Sequence, residues 1–190
     1  MHILIPGGCG FIGSSIAIYL KQNIKNCVVT TIDNLSRNTS YLNEKKLKKH
    51  NIKNIKFDLS SDRYSAQADL NRIRVDFIID CCAEPSVEIS KVNPQLVFNS
   101  NLKSTLNLLE IAKKKKSKII YLSTSRVYSI KKINSLFNKI KYKSKLLKKI
   151  KINENFSVES PLSIYGFTKL SSEILIKEYS FLYNIKYIIN

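Results

Sequence analysis

The stretch Ile3-Leu4-Ile5-Pro6-Gly7-Gly8-Cys9-Gly10-Phe11-Ile12-Gly13 constrains this chain more than any other. Ile3 to Ile5 reads as a short apolar strand. Glycines follow, and then a helical pattern in which Ile12, Ile16, Tyr19 and Leu20 recur at i, i+4, i+7 and i+8 and are expected to face the core. A glycine-rich turn from strand to helix lets backbone N–H groups approach a pyrophosphate that side chains would otherwise block. Gly8, Gly10 and Gly13 satisfy G-x-G-x-x-G; Gly7, Gly10 and Gly13 fit with a wider first gap. Gly13, inside the helix, permits close packing of helix on strand. Taken alone, the glycines could be an ordinary tight turn. The second apolar run, Cys27 to Ile32, shifts the balance, because it ends in Asp33, twenty residues after Gly13. An acid there meets the ribose hydroxyls of an adenosine cofactor. It also repels a 2′-phosphate, so NAD is expected in preference to NADP, with Arg37 nearby pulling the other way.

A chain of 190 residues is one ordinary domain with room for a core. It contains no run of about 18 apolar residues, so nothing is expected to span a membrane. The first strand begins at His2, leaving no room for a signal peptide, and a cytoplasmic location is expected. Cys9, Cys27, Cys81 and Cys82 show no metal-type spacing and read as reduced thiols, with no metal implied. Charge is unevenly placed. Fourteen lysines and Arg126, with no acid among them, lie between Glu110 and Glu154 and account for +15 of the net +18. Such a segment is a solvated face or meets an anionic partner. No recognition motif or interleaved aromatics accompany the lysines, so nucleic acid is not the expected partner.

Strands and helical patterns alternate along the chain. Asn34 to Asn38 reads as a loop, and Tyr41 to His50 as a short polar helix. Ile52 to Phe57 is a third strand ending at Asp58-Leu59, with a helix cap at Ser60-Ser61-Asp62. Val75 to Ile79 is a fourth strand, followed by the small-residue loop Cys81 to Ser86. Asn93-Pro94 opens a long helix with Val97, Asn101, Thr105, Leu108, Leu109 and Ala112 on one face. Asn101 among apolar positions implies a buried hydrogen-bonding role. Ser117 to Leu122 is a fifth strand. From about 130 to 157 the pattern degrades into a lysine-rich, loop-like insertion, in which Ile133, Phe137 and Ile140 suggest a helical turn or two. A helix from Tyr165 to about Tyr183, with Leu170, Ile174, Leu175 and Tyr179 inward, leads to a sixth strand, Ile185 to Ile189. This order implies an α/β fold, a parallel sheet wound on both faces, with ligands at the carboxyl ends of the strands. Gly7, Asp33, Asp58, Cys82 and Thr124 all stand just past a strand end.

Tyr165 and Lys169 lie one helical turn apart on one face. An ammonium beside a phenol stabilises the phenolate, which makes tyrosine usable as a general base near neutral pH. Tyr41/Lys45 and Tyr128/Lys132 share the spacing, but only Tyr165/Lys169 opens a long amphipathic helix and follows the Thr124 strand end.

With Gly7 to Gly13, Asp33-Asn34-Leu35-Ser36-Arg37, Ser123 to Tyr128 and Tyr165 to Lys169 in view, the chain resembles an extended short-chain dehydrogenase/reductase along essentially its whole length. Within that superfamily it resembles the NAD-dependent nucleotide-sugar epimerase/dehydratase group. More narrowly, Ser123 to Ile130 and Ser163 to Asn190 resemble the CDP-paratose (CDP-tyvelose) 2-epimerase branch. The resemblance implies an NAD-binding Rossmann fold over 1–190. It also implies reversible hydride transfer through a transient keto sugar, with a CDP- or UDP-sugar as substrate. Tyr165 would be the base, Thr124 would hydrogen-bond the same sugar oxygen, and Lys169 would also hold the nicotinamide ribose. Gly7, Gly10, Phe11, Ile12, Gly13, Asp33, Asn34 and Arg37 would hold the pyrophosphate and adenosine. Asp58 and Leu59 would contact adenine, Cys82 to Glu84, Ala83 included, would line the cofactor, and Asn101 would support the site. Dehydratases of this group carry an acid pair directly after the active-site threonine. Ser125 and Arg126 stand there instead, which favours epimerisation. The family continues past the sixth strand into a C-terminal domain that binds the sugar nucleotide, so a fragment or truncated product lacking that domain is expected. Related enzymes pair through the two long helices, and a homodimer is expected. Two other readings remain open: a dehydratase or decarboxylase of the same group, and a non-catalytic NAD- or nucleic-acid-binding remnant.

Overall fold

Six parallel strands form one sheet in the order β3-β2-β1-β4-β5-β6. The computed structural model describes residues 1–61, 70, 72–141 and 152–190. The strands are β1 (His2–Pro6), β2 (Val28–Asp33), β3 (Lys53–Lys56), β4 (Phe77–Asp80), β5 (Lys118–Tyr121) and β6 (Tyr187–Ile189). Each falls within two residues of the run that its apolar pattern marks. β1 sits in the middle, paired with β2 through Leu4 and Thr30 and with β4 through Leu4 and Ile78. Side chains alternate across the sheet. Leu4 enters a cluster with Ile32, Ile78, Leu108, Leu109 and Ile176, whereas Ile3 and Ile5 enter one with Ala17, Val29 and Leu47. Leu4 and Ile5 are fully buried, each worth about 1.5–3 kcal/mol.

The helices that close these two cores sit on opposite faces. On one side lie α1 (Phe11–Asn23) and α2 (Ser40–Lys49), which supply Ala17 and Leu47. The helix opened by Asn93-Pro94 runs as α4 (Pro94–Phe98), a π turn (Asn99–Lys103) and α5 (Ser104–Lys115). It supplies Leu108 and Leu109 to the other face, and α7 (Ile164–Tyr183) adds Ile176. The face expected on that long helix holds, since Val97, Asn101, Thr105, Leu108, Leu109 and Ala112 are all buried.

Elsewhere the structure corrects the pattern. On α1 the buried face is Gly13, Ser14 and Ala17, while Ile12 and Tyr19 are exposed. Small residues bring that helix close to the sheet and push the large ones to its flanks. On α7, Ile174 is exposed, and the buried stripe is Tyr165, Thr168, Lys169, Ser172 and Ile176. A short helix, α3 (Val87–Val92), starts at Ser86, whose hydroxyl accepts from Ile89 N at 3.0 Å. The lysine-rich insertion begins as a twelve-residue helix, α6 (Ile130–Lys141), rather than as a loop. Of the cap expected at Ser60-Ser61-Asp62, Asp62 lies outside the described residues. No described helix is long and apolar enough to cross a membrane.

Candidate active site

β1 and β4 are neighbours, yet the chain leaves β1 toward β2 and reaches β4 only later. The order therefore reverses between them, and a crevice opens there at the carboxyl ends of the strands. A cavity of about 670 Å³ occupies it, within the range of cofactor sites. Gly7, Gly10, Phe11, Ile12 and Gly13 form one wall, and Asp33, Asn34 and Arg37 follow from β2. Asp58 and Leu59 follow from β3, Asp80, Cys82 and Ala83 from β4, and Leu122 and Ser123 from β5; Tyr165 and Lys169 project from α7. Of the seventeen residues expected to build the site, all but Asn101 and Thr124 line this one space.

The glycine loop is held by its backbone. Gly7 has φ +68°, and a Cβ there would lie 2.5 Å from the Cys81 carbonyl oxygen. Only glycine fits both conditions. At Gly13 a Cβ would run into the Gly7 carbonyl, so this glycine seats α1 directly on the loop. Gly8 packs against Thr31 and is not among the lining residues, so Gly7, Gly10 and Gly13, the wider spacing, face the cavity. The first-turn amides of Phe11, Ile12 and Gly13 have no carbonyl one turn ahead, and the helix dipole adds positive potential. A pyrophosphate fits that chemistry. Asp33 fixes the loop from the far side, accepting from Cys9 N (2.9 Å) and Leu35 N (2.9 Å). Those bonds leave lone pairs for ribose hydroxyls. Burial pulls the Asp58 carboxyl upward, but hydrogen bonds from Ser60 and Asn34 outweigh it and hold it below its ordinary range. Burial and the Asp33 charge push the Cys9 thiol up to about 12; burial and Asp80 do the same for Cys81. These thiols stay neutral and act as small apolar packing.

The other end is made of buried side chains. Ser163 caps α7, its hydroxyl accepting from Gly166 N at 3.0 Å, and the helix then presents Tyr165 (8% exposed) and Lys169 (3% exposed) to the cavity. Lys169 Nζ donates to the Leu122 carbonyl at 2.6 Å and lies 4.0 Å above the Tyr121 ring. Burial lowers the Lys169 pKa, and Asp80 opposes that shift. Asp80 is itself 3% exposed and accepts from Cys82 N at 2.9 Å. Burial pushes its carboxyl up to about 6 despite Lys169. Asp80 is a site residue that pattern reasoning missed, although an acid closing an apolar strand is the same signal that marked Asp33. Ser123 hydrogen-bonds Glu173 and so ties the β5 loop to α7.

Two expected site residues sit differently. Asn101, expected to be buried and to support the site, lies behind the cavity wall at 1% exposure. Its Oδ1 accepts from Glu84 N (2.8 Å), and its Nδ2 donates to the Glu84 carbonyl (3.3 Å) and to Thr168 Oγ1 (3.0 Å). Its amide is thus satisfied by protein, and it positions the Cys82–Glu84 loop instead of touching the cavity. Thr124 is half-buried just beyond the lining residue Ser123; its Oγ1 accepts from Arg126 N at 3.2 Å and caps a 3₁₀ turn, Ser125–Val127.

Residues 3–190 match the model of the NAD dependent epimerase/dehydratase family. The chain belongs to that family. NAD is its cofactor, and the residues just described fit it. A UDP-glucuronate 4-epimerase from Thermodesulfobacterium geofontis is 28% identical over 193 residues, 97% of this chain and 53% of the relative. A dTDP-D-glucose 4,6-dehydratase from Dictyostelium discoideum is 31% identical over 182 residues, 93% of this chain and 40% of the relative. Among solved structures, the UDP-glucuronic acid 4-epimerase of Bacillus cereus, in complex with UDP-glucuronic acid and NAD, superposes with a TM-score of 0.73 at 28% identity. All of this chain and 55% of that one are covered. The chain spans about half the length of the curated relatives it matches. Its relatives include both epimerases and dehydratases, and the three just described do not single out the CDP-paratose branch.

Proposed function

We propose that this chain is the NAD-binding part of a nucleotide-sugar epimerase. One observation carries the reading: Tyr165 and Lys169, one turn apart on α7, enter the same cavity as the glycine loop, buried and beside Asp80. Bound NAD supplies a reversible hydride acceptor. Tyr165 removes a sugar hydroxyl proton, and Lys169, kept in place by the Leu122 carbonyl, holds the nicotinamide ribose. Thr124, at the mouth, hydrogen-bonds the sugar oxygen. The α1 amides hold the pyrophosphate and Asp33 the adenosine ribose.

Epimerisation is favoured over dehydration because Ser125 and Arg126 follow Thr124, where elimination of water needs acids, and both are exposed on the 3₁₀ turn. The likeness of Ser123 to Ile130 and Ser163 to Asn190 to the CDP-paratose branch supports a CDP-sugar, with a UDP-sugar as the alternative. A separate C-terminal domain would hold the nucleotide diphosphate, whose remote binding energy positions the reacting carbon. The exposed apolar residues Phe167, Ile174 and Phe181 on α7 support a helix-paired homodimer; a strictly monomeric species in sedimentation at tens of micromolar would count against it.

The test assays the 190-residue chain beside a fusion carrying the C-terminal segment of a full-length relative, each with CDP- and UDP-sugars and a Tyr165→Phe control. The chain should bind NAD without turnover. The fusion should epimerise, and Tyr165→Phe should slow it about 10²- to 10⁴-fold. Turnover indifferent to Tyr165, or a chain that does not bind NAD, would overturn the reading.

A further inference from the structure

We propose that Glu84 is a cofactor-specificity residue, which holds the Arg37 guanidinium in an internal ion pair and so withholds it from a 2′-phosphate. An arginine just after the acid that ends β2 is the side chain that accommodates NADP in folds of this kind. Here Arg37 is turned away from that task. Its Nη2 donates to Glu84 Oε2 at 3.1 Å and to the Ala83 carbonyl at 3.2 Å, bridging from the β2 loop to the β4 loop. Both Arg37 and Glu84 line the cavity, so the bridge lies along the cofactor's path.

The acid is the fixed member of the pair. Glu84 Oε1 accepts from Ser86 N at 3.1 Å. Its backbone N–H and carbonyl are both held by the buried Asn101 amide, which is anchored in turn to Thr168 of α7. The Glu84 side chain is 17% exposed and that of Arg37 51%, so the flexible arginine comes to a carboxylate already in place. A pair this exposed on one side adds little to stability. What it changes is the potential at the Asp33 end of the cavity. A phosphate there would have to pull Arg37 away from Glu84 before it could use the guanidinium. This explains why an arginine beside Asp33 does not make the site hospitable to NADP, and it rests on the NAD-binding role of the cavity.

Calorimetric titration with NAD and with NADP at one salt concentration tests this on the unmodified chain, Glu84→Gln, and Glu84→Gln combined with Arg37→Ala. Glutamine keeps the size and an acceptor for Ser86 N while removing the charge. Glu84→Gln should gain about tenfold in NADP affinity relative to NAD, and the gain should vanish in the double variant. NADP affinity unchanged relative to NAD in a Glu84→Gln chain that still binds NAD would overturn the proposal. A gain surviving in the double variant would overturn it too, since Arg37 would not be its source. Loss of both cofactors by Glu84→Gln would make Glu84 a structural residue and refute it. An unmodified chain unable to bind NAD would instead remove the cofactor reading itself, and this inference with it.

Discussion

The two ends of the cavity are built from different materials. At the α1 end, backbone does the holding: Gly7 and Gly13 admit close approach, and Asp33 organises the loop through N–H groups. At the α7 end, buried side chains do it, with Tyr165, Lys169 and Asp80 each less than a tenth exposed. Two kinds of vulnerability follow. The first end fails by steric collision and is indifferent to pH near neutrality. The second carries buried charges that answer to protons.

The sharpest way to break this contrast is Gly7→Ala. A Cβ at φ +68° and 2.5 Å from the Cys81 carbonyl should destabilise the fold by about 2–4 kcal/mol and abolish NAD binding at every pH. Urea unfolding with a parallel NAD titration checks it, and an alanine chain with full stability and affinity would remove the steric account. Asp80→Asn comes next. With its folded pKa raised to about 6 by burial, Asp80 contributes stability below about pH 4 that is lost as pH rises through about 6. The unmodified chain should therefore lose about 2–3 kcal/mol relative to Asp80→Asn between pH 4 and pH 7. Urea midpoints for the two chains that run parallel across that window would show no such linkage. The smallest effect is expected at Asp33→Ala. Loss of its bonds to Cys9 N and Leu35 N and of the ribose acceptor should weaken NAD by about 1–2 kcal/mol and relax the preference over NADP. If the unmodified chain bound both cofactors equally in calorimetry, Asp33 would not set the preference.

Legibility in the sequence followed the same division. The α1 end was readable because its signals are local: an apolar strand, glycines at fixed spacing, and acids at strand ends. Even there, hydropathy marks Ile12 and Tyr19, which are exposed, beside Ile16 and Leu20, which pack on the core, while Gly13, Ser14 and Ala17 make the close contact. The α7 end was harder. Its inward stripe contains Thr168, Lys169 and Ser172, which any apolar count assigns to solvent, and so Ile174 was expected inside when it is half-exposed. Tyr165 and Lys169 emerged from spacing and chemistry instead. The apolar run ends at Ile79, one residue short of the strand's end, and so leaves Asp80 unmarked. Contacts between residues far apart in sequence left no local trace. Arg37 meets Glu84 across forty-seven residues, and Asn101 reaches Thr168 across sixty-seven.

The central place of β1 also says something about time. Its two neighbours are β2, which follows within thirty residues, and β4, paired through Ile3 and Phe77 after more than seventy. The glycine loop, Asp33 and Asp58 precede β4 in the chain; Asp80 closes β4, and Tyr165 and Lys169 come much later. Closing so long a loop is slow, because its entropy is lost before any contact rewards it. During synthesis the nucleotide-binding loop exists well before the wall it must face. A cofactor molecule finds a complete berth only when β4 has docked, and binding then stabilises the assembled sheet and not the nascent half.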